Sequence, residues 1–253
     1  MGLIGGELGY RLLRALAPRG NSDDVESAYS HASKLEVLLG KTIWDELRGK
    51  TVLDFGCGMG EQVTELALHG AKKVFGLDIR DNLFENGRRR ATDAGVADRV
   101  SFVTECREPV DAIISLDAFE HFADPASVLE TMHGMLKPGG RVYVSFGWTW
   151  FHPYGGHLFS VFPYAHLLFT ERALIRWRSD FKTDGATRFH EVEGGLNQMT
   201  IGRFEGLVKR SPLHCEELIP IPIRKLRSLA NRWTREFTTA VVRARLVRPV
   251  GST

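Results

Sequence analysis

Residues 51–60 read TVLDFGCGMG, and this stretch decides the fold. An apolar run typical of a buried strand carries Asp54 near its end, and glycines then occupy the alternate positions 56, 58 and 60. A tight turn needs one or two glycines, because only glycine adopts a positive φ without steric cost. Three glycines in five residues indicate a backbone that comes close to a ligand.

Strand and helix patterns alternate downstream of this stretch. The predicted strands are 51–55, 73–78, 100–104, 111–117 and 141–146, with a helix after most of them and a KPGG turn at 137–140. This alternation predicts a parallel sheet with crossover helices. Ligands of such sheets bind at the carboxyl ends of the strands, which is where residues 55–60 lie.

The flanking regions are less regular. Residues 1–22 are predicted to be loosely ordered apart from a short amphipathic turn at 8–16, and two helices are predicted over 28–39 and 42–47. Residues 147–169 show no clean period, and helices are expected from Thr170 and from about Thr200. The remaining predictions are a strand near 213–221, a basic helix near 223–235, and a last strand near 237–247 that fits a half-exposed edge strand.

Composition narrows the class of protein. The chain has 253 residues, 43% of them hydrophobic, and three scattered cysteines, which favours a reducing cytoplasm over a disulfide framework. No apolar run is long enough to span a membrane. The net charge is +2, yet from Arg203 onward 11 Lys/Arg face 4 Asp/Glu, which gives +7 and leaves −5 for the first 202 residues. A basic C-terminal third suits an anionic substrate, a membrane surface or simply a solvated face.

The glycine spacing separates two cofactor classes. Nicotinamide-binding chains read G-x-G-x-x-G, whereas this chain reads G-x-G-x-G after an acid that would repel a pyrophosphate and suits a positive amino group. Here the chain resembles the class I S-adenosylmethionine (SAM)-dependent methyltransferases, in particular the small-molecule, type 11-like ones. VLDFGCGMG resembles their first motif, Asp78 stands where they hold a ribose, and DAIISLDAFEHFADP and LKPGG resemble their later motifs.

The resemblance implies a fold and a division of the chain. The fold is an α/β Rossmann-like three-layer sandwich, with a mostly parallel seven-stranded sheet, an antiparallel last strand and a lid insertion after strand 5. Residues 1–50 would form N-terminal lid helices, 51–146 the SAM-binding core, 147–200 the substrate lid, and 201–253 the rest of the core sheet. Tyr29 and His31 would face the cofactor from the N-terminal lid.

The resemblance also implies cofactor contacts. Asp54 would lie near the ammonium of SAM, Asp78 would bind the ribose hydroxyls, and Ile79 would cover the adenine ring. The remaining cofactor residues are Gly56, Cys57, Gly58 and Gly60 in the turn, Glu105 and Cys106 beside the adenine amino group, and Leu116 and Asp117 at the methionine end. Many relatives carry aspartate where this chain has Glu105. Cys57 is expected to be simply a small residue between two glycines, without a redox role.

Methyl transfer to oxygen needs a base, which is most often histidine. The candidates are His157, His152 and His121, each of which is also compatible with a packing role. Trp148, Tyr154 and His190 are the candidate substrate residues, and aromatics over 147–169 suggest an apolar or ring-shaped acceptor. No metal is expected, since the histidine spacing matches no standard ligand pattern.

The expected function is methyl transfer from SAM to a small molecule, most often to a hydroxyl oxygen of a natural product, sugar or lipid-like compound. The alternatives are N- or C-methylation, RNA methylation, and a non-catalytic SAM-binding regulator. The LDAF sequence after strand 4 differs from the signature of amino-group nucleic-acid methyltransferases, so a nucleic-acid partner is not expected. The sequence carries no sign of oligomeric state.

Overall fold

The computed structural model describes residues 2–19, 32–192 and 194–251. Its helices are α1 Gly6–Leu16, α2 Lys34–Leu39, α3 Ile43–Leu47, α4 Glu61–Leu68, α5 Phe84–Asp93, α6 Pro125–Met135, α7 Ala165–Leu168, α8 Glu171–Arg178, α9 Ile201–Arg210 and α10 Arg235–Thr238. Its strands are β1 Thr51–Phe55, β2 Lys73–Leu77, β3 Val100–Val103, β4 Val110–Leu116, β5 Leu136–Phe146, β6 His214–Pro222 and β7 Thr239–Val247. The described segments contain no helix long and apolar enough to cross a membrane.

The seven strands form one sheet in the order β3-β2-β1-β4-β5-β7-β6. All neighbours pair in parallel except β7, which is antiparallel to both β5 and β6. The chain winds outward from β1 to β3 and then returns to place β4 on the other side of β1. This reversal opens a crevice at the carboxyl ends of β1 and β4, which is the usual ligand site of such sheets.

Two apolar layers cover the sheet. Alternate strand residues such as Val52 and Ile114 pack with α2 to α5 on one face, while Leu53 and Ile113 pack with α6 and α9 on the other. Neighbouring residues of a strand point to opposite faces, so a parallel strand buried on both sides reads as a continuous apolar run. The predicted Rossmann-like sandwich with an antiparallel last strand is confirmed.

A third core lies in the segment between β5 and α9. Phe159, Leu174 and Trp177 are among its buried members, and Leu13 of α1 packs with them. Helix α1 therefore packs on α8. Residues 6–16, where only a short amphipathic turn at 8–16 was predicted, form a regular helix because tertiary packing supplies a partner for their apolar face.

Three local predictions were wrong. Residues 137–140 belong to β5, where the partner of Val110 is Leu136 and the partner of Ala112 is already Arg141, so the KPGG residues form an irregularity within the strand. The last strand, β7, is no edge strand but lies between β5 and β6. Arg245 of β7 does not protect a sheet edge but forms an ion pair, since its guanidinium lies 3.1 Å from a carboxylate oxygen of Glu216.

The third wrong prediction is the basic helix near 223–235. A 3₁₀ turn over Arg224–Leu229 and the short α10 replace it. Between them the side-chain oxygen of Asn231 accepts hydrogen bonds from the backbone N–H groups of Trp233 (2.8 Å) and Thr234 (3.2 Å). Such a side-chain-to-backbone turn competes with helix formation.

Candidate active site

The glycine turn after β1 requires glycine for two different reasons. Gly56, Gly58 and Gly60 have φ of 87°, 50° and 74°, a region that L side chains rarely adopt. A Cβ on Gly60 would also lie 2.5 Å from the Phe102 ring, whereas a Cβ on Gly56 would meet nothing closer than 3.5 Å. Gly60 therefore serves packing as well, while Gly56 and Gly58 leave an open backbone surface at the crevice.

Asp78 follows β2 and presents a charged acceptor to the same crevice. Its carboxylate accepts hydrogen bonds from the backbone N–H of Gly58 (2.9 Å) and of Arg80 (3.0 Å), and from the Arg80 guanidinium (3.1 and 3.2 Å). Burial raises the pKa of Asp78, but the hydrogen bonds from Arg80 and Gly58 outweigh it and hold that pKa below its ordinary value. Ile79 beside it is 93% exposed, which leaves an apolar surface uncovered.

Asp54 is a buried carboxyl group that lacks a donor. Its Oδ2 atom has no hydrogen-bond partner among the described residues. The pKa of Asp54 is raised to about 7, chiefly by burial; the Lys34 ammonium opposes this rise and the charge of Asp78 adds to it. Burying an unpaired carboxylate is costly, and a cationic ligand group would relieve that cost. The site therefore fits the predicted neighbour of the SAM ammonium.

Lys34 lies over this acidic site, although nothing in the sequence singled it out. Its Nζ is 3.0 Å from Oδ2 of Asp117, which follows β4 with a φ of 50°. The Ser145 hydroxyl lies 3.3 Å from the other carboxylate oxygen of Asp117. Lys34 reads as an ordinary helix residue, and only the packing of α2 above the strand ends brings it here.

Glu120 is a second buried carboxyl group that sequence reasoning missed. Its Oε1 accepts a hydrogen bond from the backbone N–H of Gly147 at 3.1 Å, and its Oε2 has no partner among the described residues. Burial, followed by the charge of Asp117, raises the pKa of Glu120 to about 8. The available signal was its position beside His121, four residues after the end of β4. Glu120 connects the acidic site to the loop after β5.

Two predicted histidines meet next to Glu120. The rings of His121 and His157 lie 5.3 Å apart, edge to face. Nδ1 of His121 is 2.9 Å from the carbonyl oxygen of Gly195, which can only accept, so the proton of a neutral ring resides on Nδ1 and Nε2 carries the lone pair. Burial lowers the pKa of His157 to about 4, and its Nε2 has no partner in the part of the chain that the structure describes.

Trp148 joins the other predicted residues to this pair. The His152 ring stacks on Trp148 at 5.2 Å with an interplanar angle of 5°, and the rings of Tyr154 and His157 lie 5.7 and 6.2 Å from it. Nδ1 of His152 accepts a hydrogen bond from the Tyr154 N–H at 3.0 Å, and burial lowers the pKa of His152 to about 4. We call His121, His152, His157, Trp148 and Tyr154 the histidine–aromatic group.

Some predicted residues point elsewhere. His190 is more than half exposed, and its contact is Glu191 at 3.9 Å. Glu105 is exposed and pairs with Arg107 at 3.0 Å, while the Cys106 thiol is buried and faces the carbonyl of Glu108. Their predicted contacts would have to come from backbone atoms or from a rearrangement, and they stay predictions.

The remaining predictions concern buried or undescribed residues. Leu116 is buried beside Asp117. Cys57 is buried within the glycine turn, and burial raises the pKa of its thiol, which suits an inert small residue. The predicted lid residues Tyr29 and His31 lie outside the described residues. Within the described ranges, no three His, Cys, Asp or Glu side chains are grouped to hold a metal ion.

The sheet order is that of a Rossmann-like fold. Residues 53–144 match the family model described as "Methyltransferase domain". This match and the fold confirm the resemblance to class I SAM-dependent methyltransferases, and SAM as the cofactor that it implies.

Curated relatives match part of the chain. A ubiquinone biosynthesis O-methyltransferase of Pseudomonas paraeruginosa is 37% identical over 105 residues, which are 39% of this chain. The chain spans 45% of that relative's length.

Solved structures share the fold. A methyltransferase of Haloferax volcanii, in complex with the Trm112 methyltransferase activator, aligns over 87% of this chain and 93% of its own, with a TM-score of 0.54 and 20% identity. A geranyl diphosphate methyltransferase in complex with SAM aligns over 81% of this chain and 82% of its own, with a TM-score of 0.53 and 17% identity.

Proposed function

We propose that this protein transfers a methyl group from SAM to a hydroxyl oxygen of a small amphiphilic molecule. The observation that carries the proposal is the buried Nε2 of His157, which has no partner among the described residues, on a ring that packs beside those of His121 and Trp148. A relative named as an O-methyltransferase supports the choice of oxygen.

The acidic side of the crevice would hold the cofactor. The open backbone at Gly56 and Gly58 admits a close ligand, and Asp54 offers an unpaired oxygen to a cation. Hydroxyl donors would bind the Asp78 carboxylate by displacing the Arg80 guanidinium from it. SAM, when bound, supplies a methyl group on a positive sulfur that is already activated for displacement. The protein's task is therefore to align the acceptor, exclude water and take up its proton.

His157 is the proposed base. A histidine with a pKa near 4 is neutral at pH 7, so its Nε2 lone pair is free to accept the acceptor's hydroxyl proton as the new C–O bond forms. His121, with its lone pair on Nε2, is the neighbouring site through which that proton can leave. His152 stacks on Trp148 and positions it, a role that we infer from the parallel rings.

The histidine–aromatic group also suggests the acceptor class. Trp148 and Tyr154 present aromatic surface that is only partly buried, which suits a ring or another apolar body beside the reacting hydroxyl. Glu120 would remain protonated near neutral pH and could donate a hydrogen bond through the proton it holds.

The test compares acceptors with labelled SAM and the full chain. We expect methyl ether formation on a phenol with an apolar tail, detected by mass spectrometry. His157→Ala should lower kcat by about 100-fold or more, the usual worth of a positioned base, while S-adenosylhomocysteine (SAH) affinity stays unchanged. His214→Ala, an exposed histidine on the edge strand, is the control.

The outcomes separate the alternatives. Label transferred to the matched aniline or to RNA, and not to the phenol, would replace oxygen by the N-methylation or RNA alternative. SAH binding without product from any acceptor would favour a non-catalytic regulator. Normal kcat in His157→Ala would remove His157 as the base.

A further inference from the structure

A basic segment lies at the edge of the sheet that carries the site. Residues 223–238 connect β6 to β7, and the N–H of Ile223 donates to the carbonyl of Thr238 at 2.7 Å, which closes the base of the segment. Because β7 is antiparallel to β5, with Phe146 opposite Val242, the start of β7 lies at the carboxyl end of β5. The segment therefore stands beside the loop that carries Trp148.

The outer part of this segment carries unopposed positive charge. The whole segment contains five basic residues and a single acid, which are Arg224, Lys225, Arg227, Arg232, Arg235 and Glu236. Arg224, Lys225, Arg227 and Arg232 are exposed, and within the described residues none of them has a carboxylate at ion-pair distance. A folded protein that leaves four such cations together presents a positive surface.

Apolar side chains are exposed among these cations. Trp233 is 79% exposed, and Leu229 and Phe237, four residues away on either side, are about half exposed or more. The Asn231 turn holds the backbone of Trp233 in place, and the Arg232 guanidinium lies 4.3 Å from the centre of the Trp233 ring. Local contacts therefore hold this apolar surface in place, and no other described residues cover it.

The inner part of the segment is anchored. The Glu236 carboxylate accepts hydrogen bonds from the N–H groups of Ile201 (3.1 Å) and Gly202 (2.8 Å) at the start of α9, and Arg235 forms a two-bonded pair with Glu205 at 2.7 and 2.6 Å. The single acid is thus turned inward, so it does not screen the outer cations.

We propose that residues 223–238 bind the surface of an anionic lipid bilayer. Exposed Trp and Leu flanked by Arg and Lys are the composition of interfacial anchors, in which apolar side chains enter the headgroup region and cations meet acidic lipids. A nucleic acid could bind the cations through its phosphates and stack a base on Trp233, but it has no apolar region that would bury Leu229.

The surface is joined to the site. Phe237 packs against Phe151 with ring centres 5.1 Å apart, and Phe151 follows Trp148 by three residues. A bilayer bound at 223–238 would lie beside the crevice, so a lipid-dissolved acceptor could enter it. This last step rests on the proposed function, whereas bilayer binding itself does not.

Vesicle flotation tests the surface. We expect the full chain to float with vesicles of phosphatidylglycerol and phosphatidylcholine, less so with added salt, and not with phosphatidylcholine alone. The triple variant Arg224→Ser, Lys225→Ser, Arg227→Ser should lose this binding, and Trp233→Ser should weaken it about tenfold or more. The matched control is Arg88→Ser with Arg89→Ser, two exposed arginines on α5.

Further measurements separate this surface from the cofactor site. Tryptophan emission should shift to the blue on vesicle addition, and the shift should be absent in Trp233→Phe. Asp78→Ala should lose SAH binding and keep vesicle binding. Equal flotation of the triple variant and the wild type, equal binding to neutral vesicles, or binding to RNA without binding to vesicles would overturn the proposal.

Discussion

Asp54 and Glu120 each bury a carboxyl group with one oxygen that has no donor among the described residues. Burial raises the pKa of Asp54 to about 7 and that of Glu120 to about 8. Groups with shifted pKa values that line one crevice are typical of functional sites. In this protein the shift also links stability to pH.

Asp54→Asn should stabilise the ligand-free protein at pH 8. The folded protein keeps a proton on Asp54 that the unfolded chain releases above its pKa of 3.8, so this group costs stability as pH rises from about 4 to about 7. Asparagine does not ionise and removes that loss, a gain of about 1–3 kcal/mol. Urea titrations at pH 5 and pH 8 measure the gain, which should be larger at pH 8, where the full loss has accumulated, than at pH 5.

The same substitution should weaken SAH binding by about tenfold, or 1.4 kcal/mol, since the ligand ammonium loses an opposite charge. Asp45→Asn is the control, because the Asp45 side chain is 86% exposed on α3. If the difference in unfolding free energy between Asp54→Asn and wild type were the same at both pH values, the buried ionisation would not be its cause.

The positions of the predicted acidic residues at strand ends could be read from the sequence. Asp54, Asp78 and Asp117 are placed by the strands that precede them, so local sequence is enough to bring them together. Lys34 was missed because its position depends on how α2 packs, and Arg80 because its position depends on the direction of its side chain. The local sequence pattern encodes neither of these two features.

At the scale of elements, α2 is short and depends on its N-cap. The Ser33 hydroxyl accepts a hydrogen bond from the Glu36 N–H at 3.1 Å, and the Glu36 carboxylate accepts one from the Trp44 indole at 2.7 Å. A six-residue helix has little intrinsic stability, so these contacts keep Lys34 over the crevice.

Ser33→Ala should loosen α2. Losing the cap costs about 1 kcal/mol, so amide protons of residues 34–39 should exchange about fivefold faster when measured by mass spectrometry. Thr42→Ala is the control, since Thr42 precedes α3 without a side-chain cap hydrogen bond. Unchanged exchange in Ser33→Ala would mean that packing of Leu35 and Leu38 alone holds the helix.

Element predictions failed where two patterns have the same appearance. The alternation of arginine and apolar residues in β7 is typical of an edge strand. A strand inside the sheet whose arginines form ion pairs on one face has the same sequence pattern. Only the pairing of β6 with β7, which brings Glu216 to Arg245, distinguishes the two. That pairing involves residues about thirty positions apart.

At the scale of the whole molecule, the sheet and the segment between β5 and α9 have separate cores. Trp177 is buried in the core between β5 and α9, and its indole N–H donates a hydrogen bond to the carbonyl of Ala17 at 3.0 Å. The Arg176 guanidinium stacks 4.0 Å from the Tyr10 ring centre. Among the described residues, helix α1 therefore packs against the segment between β5 and α9.

Trp177→Ala should release α1 without destroying the cofactor site. The buried indole leaves a large cavity, which costs about 3–5 kcal/mol, and its bond to Ala17 is lost. Limited proteolysis should then cut within residues 6–16, while SAH affinity stays near that of wild type. Trp177→Phe retains most of the volume and should resist cleavage.

Loss of SAH binding in Trp177→Ala would contradict the separation of the two cores. A mostly parallel sheet with an antiparallel last strand could be predicted because the region from β1 to β5 resembles the motifs of a family. The core between β5 and α9 could not be predicted, since its aromatic residues follow no period and its partner, α1, lies more than a hundred residues earlier in the chain.

The buried carboxyl group of Asp54 has a thermodynamic consequence for titration. Near neutral pH part of the protein holds a proton on Asp54, and a cationic ligand favours the ionised form, so ligand binding releases protons to the buffer. The heat of association then contains the ionisation heat of whatever base takes up those protons. Enthalpies measured in phosphate and in Tris will therefore differ, and the difference counts the protons that the crevice exchanges for its ligand.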